Sequence, residues 1–219
     1  MNADLRARIL EATRAVPAPT REASGRHLQL VVGAAVFLAA GLYFTFDGAR
    51  HGQGRPAWFY AASTCAWTAS AAFAAWAALT RGRSATGRPK AWLLAVAVGT
   101  PAGLFAMMIA FAWLHPELTV LHAERVGFKC LGLALAVGTF PLVALAVLRR
   151  GSDPVHPDAA GAALGAACGA AAGALVEFWC PVASVRHVAV GHVLPVVMLA
   201  LVGWALGSRV ITMRSVRYR

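Results

Sequence analysis

Apolar residues run along this chain in long blocks broken by short polar stretches. The blocks cover roughly 28–46, 57–79, 91–114, 127–148, 159–179 and 188–207. A helix needs about 20 apolar residues to cross the hydrocarbon core of a bilayer. The pattern therefore predicts an all-α fold, a polytopic bundle of six transmembrane helices. The blocks at 91–114 and 127–148 are the clearest. The fifth, "AAGAALGAACGAAAGALVEFW", is mostly alanine and glycine, but it holds no charge before Glu177. Its Gly161, Gly165, Gly169 and Gly173 recur every fourth position. That spacing predicts a small-residue packing face, within the chain or in a homodimer, where neighbouring backbones approach closely. Pro101, Pro141 and Pro195 fall inside blocks and predict kinks, which membrane helices tolerate.

The polar parts give three units: a head at 1–27, a six-span body at 28–207 and a basic tail at 208–219. In the head, Leu5, Ile9, Ala12 and Val16 recur at near-helical spacing with Leu10 beside them, opposite Arg6, Arg8, Glu11 and Arg14. Asn2 or Asp4 caps this short amphipathic helix, and Pro17 and Pro19 end it. So short a helix is not stable alone. Two surfaces fit it: anionic membrane lipid, or an apolar groove on a cytoplasmic partner. The first apolar block begins after a polar stretch too long for a signal-peptide n-region, so it is expected to be a retained span.

Composition agrees with the blocks. Of 219 residues, 59% are apolar and 13% charged, against roughly 45–50% and about 25% in soluble domains. The net charge of +11 raises direct nucleic-acid binding, but the basic residues form no single patch. Fifteen of the twenty lie in the head, in alternate loops (Arg81, Arg83, Arg88, Lys90; Arg149, Arg150) and in the tail. Lysine and arginine in excess mark the cytoplasmic side. Both termini are therefore expected in the cytoplasm of a bacterial inner membrane, with no direct nucleic-acid contact.

That topology sends Cys130 and Cys180 to the external edge and leaves Cys65 and Cys168 within their spans. Around the outer pair the sequence supplies His115, Glu117, His122, Glu124, Glu177, His187 and His192. Thiolates and imidazoles ligate zinc, copper and similar metals, which makes Cys130, Cys180, His187 and His192 metal candidates. A nearby cation such as Lys129 or Arg186 would lower a thiol pKa and make it reactive. A structural disulfide, or inert buried thiols with interfacial histidines, fits the same residues. Glu177 and His192 lie near membrane depth, where ionisable groups are costly. No CxxC pair and no nucleophile–base set is present, so no enzyme activity and no cofactor are expected.

The stretch from about 127 to 207 resembles the NrsF-type membrane anti-sigma factors. Cys130 opens the fourth span. Arg150 and Gly151 with Pro157 form the turn, and Gly161, Gly165 and Gly173 lie in the fifth span. Cys180–Pro181 follows, and His192 comes twelve residues after Cys180 with Leu194–Pro195 behind it. Two positions depart from the family pattern: Val182 and Ala183 replace acidic residues, and Gly191 stands where tryptophan is usual. The resemblance implies a six-span inner-membrane protein that sequesters an extracytoplasmic-function sigma factor through its head. It implies that Cys130 and Cys180, with His192, are the sensing residues. The layout is also similar to anti-sigma proteins that control carotenoid synthesis, which would make light-generated oxidants the signal. The alternatives are a small transporter or channel subunit, opposed by the lack of a mid-membrane charge pair, and a membrane thiol oxidoreductase.

Overall fold

The computed structural model describes Ala34 and residues 56–80, 88–119, 126–149, 155–178 and 180–211. The expected head, most of the expected first span, the Arg150–Gly151 turn, His122, Glu124 and residues 212–219 of the basic tail lie outside the described residues. Every regular element among the described residues is a helix. In chain order they are α1 (Ala57–Leu79), α2 (Lys90–Leu114), α3 (Pro116–Thr119, one turn), α4 (Phe128–Leu148), α5 (Pro157–Glu177) and α6 (Val185–Ile211). Helix α6 is continuous but holds two π-helical turns, at Ala189–Val193 and Gly207–Ile211.

Four of these helices, α2, α4, α5 and α6, are long and apolar enough to cross a membrane. Helix α1 matches the expected 57–79 block in extent but is not among the four. Its serines, threonines, tyrosine and tryptophans lower its mean hydropathy. Of the six expected spans, four are matched by qualifying helices among the described residues.

The helices run up and down, so their ends gather into two layers. At one end Arg88 donates to Thr80 Oγ1 at 2.8 Å and stacks over Trp76 at 4.1 Å. Lys90 pairs with Asp158 at 3.2 Å, and Arg149 donates to the Ala78 carbonyl. At the other end Phe59 of α1 meets Phe111 of α2 edge-on at 5.4 Å, and Phe59 packs with Leu118 and Ala183.

Helix α5 is the axis around which the others pack. Its most apolar stretch is 89% buried, against 28–50% for the other three candidate spans. Alanine and glycine make this possible, because neighbours reach its backbone directly. A Cβ at Gly161 would collide with the Gly203 carbonyl of α6, and one at Gly165 with the Leu199 carbonyl. At Gly169 it would sit 2.6 Å from Val196 Cα. The four glycines do not share one neighbour, however. Four residues overshoot a helical turn by about 40°, so by Gly173 the stripe has rotated onto the Trp67 ring of α1.

Candidate functional site

Two backbone features bring α4, α6 and the segment between α5 and α6 together. Gly127, which caps α4, has φ +97°, a conformation L side chains rarely adopt. A Cβ there would lie 2.6 Å from the His187 carbonyl. Gly191, in the π-helical turn of α6, faces it: a Cβ there would lie 3.0 Å from both the Gly127 carbonyl and Cys130 Cβ. Two bare backbones therefore touch, and Cys130, three residues into α4, is carried onto α6. On the other side α5 ends at Glu177, and Pro181 biases Cys180 away from helical backbone. The Cys180 amide still donates to the Val176 carbonyl, four residues back, at 3.1 Å, which holds it against the end of α5.

The result is a buried cluster of Cys130, Cys180, His187 and His192, whose ligand-type atoms all lie within 4.8 Å of one another. The sulfurs of Cys130 and Cys180 are 3.8 Å apart and are not joined in a disulfide. His187 Nε2 lies 3.5 Å from Cys130 Sγ and 3.1 Å from Cys180 Sγ. The π-helical turn carries His192 inward to complete exclusion from solvent, under Trp67. Such turns are rare and recur at functional sites. The four candidate ligands are thus brought together.

A second layer was not legible as a unit. Glu177, the last residue of α5, is 3% exposed and reaches His192 Nδ1 at 3.1 Å through Oε2. Its Oε1 accepts a hydrogen bond from Ser63 of α1 at 3.1 Å. Neither ring nitrogen of His192 has an aligned hydrogen bond among the described residues. A carboxylate and an imidazole thus meet inside the bundle, at the end of α5 and not at its middle. Sequence spacing hid the pair because fifteen residues and a chain reversal separate them. Ser63 carried no signal at all.

Neither Lys129 nor Arg186, the cations expected to activate a thiol, is among the neighbours that shift Cys180. Hydrogen bonding with Cys130 and burial push the Cys180 thiol up from its ordinary value, and the neighbours that oppose this are His187 and His192. Burial shields the thiol from solvent. His115 and Glu117 pair with each other at 3.2 Å on the surface and stand apart from the cluster. His115 does line a cleft that leads past Met108 and Ser63 to Glu177. Cys65 is exposed on α1, and Cys168 is buried in α5. Val182 and Ala183, where the resembled family has acidic residues, are buried and apolar.

A family model described as negative regulator of sigma F, NrsF, matches residues 12–212. Among curated proteins and among solved structures, no match was found.

Proposed function

The chain belongs to the NrsF family of negative regulators of sigma F, and from that premise we propose that it is an inner-membrane anti-sigma factor gated by its thiol–imidazole cluster. The sigma factor is of the extracytoplasmic-function type. It is held at the cytoplasmic face through the head, with Leu5, Ile9, Leu10, Ala12 and Val16 as apolar anchors. The body spans the membrane six times with both termini inside.

The chemistry of the two ends supports this orientation. Arg88, Lys90, Arg149 and Arg209 gather at one end, while Lys129 and Arg186 flank the cluster at the other. Exposed tryptophans ring both ends, Trp58 and Trp113 near the cluster and Trp76, Trp92 and Trp204 near the basic end. Membrane proteins carry such belts at the two interfaces.

The observation that carries the gating is the 3.8 Å separation of two unbridged sulfurs fifty positions apart in sequence. A disulfide needs about 2.05 Å, so closing the gap takes a movement of about 2 Å. Two thiols and one hydrogen peroxide yield one disulfide and two waters. The new bond ties the first turn of α4 to the segment ahead of α6 and repacks the glycine contact beneath it. Moving the sigma factor from mostly held to mostly free requires the two states to differ by about 5.5 kcal/mol in affinity for it.

The test is co-purification of the sigma factor with the full chain in membrane vesicles, with and without peroxide. Wild type should hold the factor when reduced and release it when oxidised, whereas Cys180→Ser should hold it in both. Ile9→Asp should fail to hold it with the body still inserted. A Cys180→Ser protein that still releases the factor on oxidation removes the thiols from the mechanism. Full retention by Ile9→Asp removes the head.

A further inference from the structure

The cluster has the dimensions of a coordination shell. Two zinc–sulfur bonds of about 2.3 Å at the tetrahedral angle give a sulfur–sulfur edge of about 3.8 Å, and a sulfur–nitrogen edge comes to about 3.5 Å. The corresponding distances here are 3.8 Å for Cys130–Cys180, 3.5 Å for Cys130–His187 and 3.1 Å for Cys180–His187. The edges to His192 do not exceed 4.8 Å. All four side chains are buried, which excludes water from the shell.

His192 supplies the independent observation. It is 0% exposed, yet neither ring nitrogen has an aligned hydrogen bond among the described residues. Leaving a buried polar atom so costs about 1–3 kcal/mol. With Nδ1 toward Glu177, Nε2 is left for a ligand on the cysteine side. Histidines that bind metals commonly donate their second ring N–H to a carboxylate, which fixes the tautomer and the ring orientation. Glu177, held in turn by Ser63, stands where that carboxylate belongs. Charge agrees too: a divalent ion with two thiolates and two neutral imidazoles is a neutral complex, formed with release of two protons, and a neutral complex suits a buried position.

We propose that Cys130, Cys180, His187 and His192 form a closed tetrahedral site for a thiophilic divalent ion of the zinc class, bound in the resting state, with Glu177 and Ser63 as positioning residues for His192. This deepens the reading of the cluster as the sensing site. The ion joins α4, the α5–α6 segment and α6, and through Glu177 and Ser63 it also fixes α1. An open catalytic metal would leave one position for water; here four protein ligands fill the shell. The ion holds the two sulfurs at coordination distance and so sets the resting packing that a signal must disturb.

The experiment measures bound zinc in the full chain purified in detergent under reducing, anaerobic conditions, then exchanges it for cobalt. About one zinc per chain is expected, and the cobalt form should show the visible absorption of a tetrahedral thiolate site. Cys130→Ser and His187→Ala should lose the ion, whereas Cys65→Ser should keep it. Glu177→Gln, which retains an acceptor for Ser63, should weaken zinc affinity about 10–100-fold while keeping the cobalt spectrum. His192→Gly should change that spectrum, and added imidazole should restore it. Wild type without metal above the Cys130→Ser level overturns the site, provided both elute as single folded species. Affinity unchanged in Glu177→Gln overturns the positioning role. Sigma-factor capture, scored on the same preparations, separates the two proposals: capture without metal removes only the ion, and metal without capture removes only the anti-sigma reading.

Discussion

Gly127 and Gly191 decide how near Cys130 comes to the histidines. The first needs its positive φ, and both need the missing Cβ, because each backbone occupies the place where the other's side chain would begin. An alanine at Gly127 faces backbone strain of about 1–3 kcal/mol, and its methyl would press on the His187 carbonyl at 2.6 Å. Gly127→Ala should therefore lower the thermal midpoint of the full chain in detergent. Gly132→Ala, on α4 where a Cβ meets nothing within 4 Å, should not. Equal midpoints for the two variants would show that the contact does not set stability. The same packing explains one departure from the resembled family: a tryptophan at 191 has no room while Gly127 and Cys130 sit there. The sequence displayed Gly191 as a missing tryptophan, but the partner glycine lies 64 positions away and no local pattern links them.

Helix positions were readable from apolar blocks, because the length of a block tracks the length of helix that must avoid water. The 57–79 block coincides with α1, and the 91–114 and 127–148 blocks fall within a residue of α2 and α4. Helix α6 runs past its 188–207 block at both ends, since Val185–Val188 includes an arginine and a histidine that hydropathy rejects. The two π-helical turns were not legible, because a residue inserted into a turn leaves no periodic trace over five positions. Helix α5 shows what hydropathy measures. The weakest of the later blocks is the most buried helix, since hydropathy rewards contact with lipid while alanine and glycine reward contact with other helices. Gly169→Leu should accordingly disrupt the α5–α6 contact, as overpacking costs about 1–3 kcal/mol or more where backbone cannot yield. Gly132→Leu should be tolerated. The comparison is made by detergent melting and by the yield of monodisperse protein. If Gly169→Leu matched Gly132→Leu in both, the small face would not be the packing face.

At the scale of the whole molecule, the apolar surface points outward. Trp113, Leu114, Phe128, Leu201 and Val147 are among many large side chains more than half exposed, while the polar cluster and Glu177 lie inside. A soluble protein would leave that surface in water at prohibitive cost, so the exterior fits a lipid surround. The thiols are 8% and 3% exposed, which also filters what reaches them. Such burial should keep a bulky maleimide from them. Orientation must therefore be read from introduced cysteines in a Cys65→Ser background, because Cys65 is exposed. Leu114→Cys, at the cluster end and 69% exposed, should react with an impermeant maleimide on intact spheroplasts. Val155→Cys, at the basic end and 45% exposed, should react only after the membrane is opened. Cys130 and Cys180 should stay unlabelled in both settings while the protein is folded. The reverse pattern would place the cluster on the sigma-factor side, where the cytoplasmic thiol pool keeps cysteines reduced, and a disulfide gate would then have no oxidising compartment to work from.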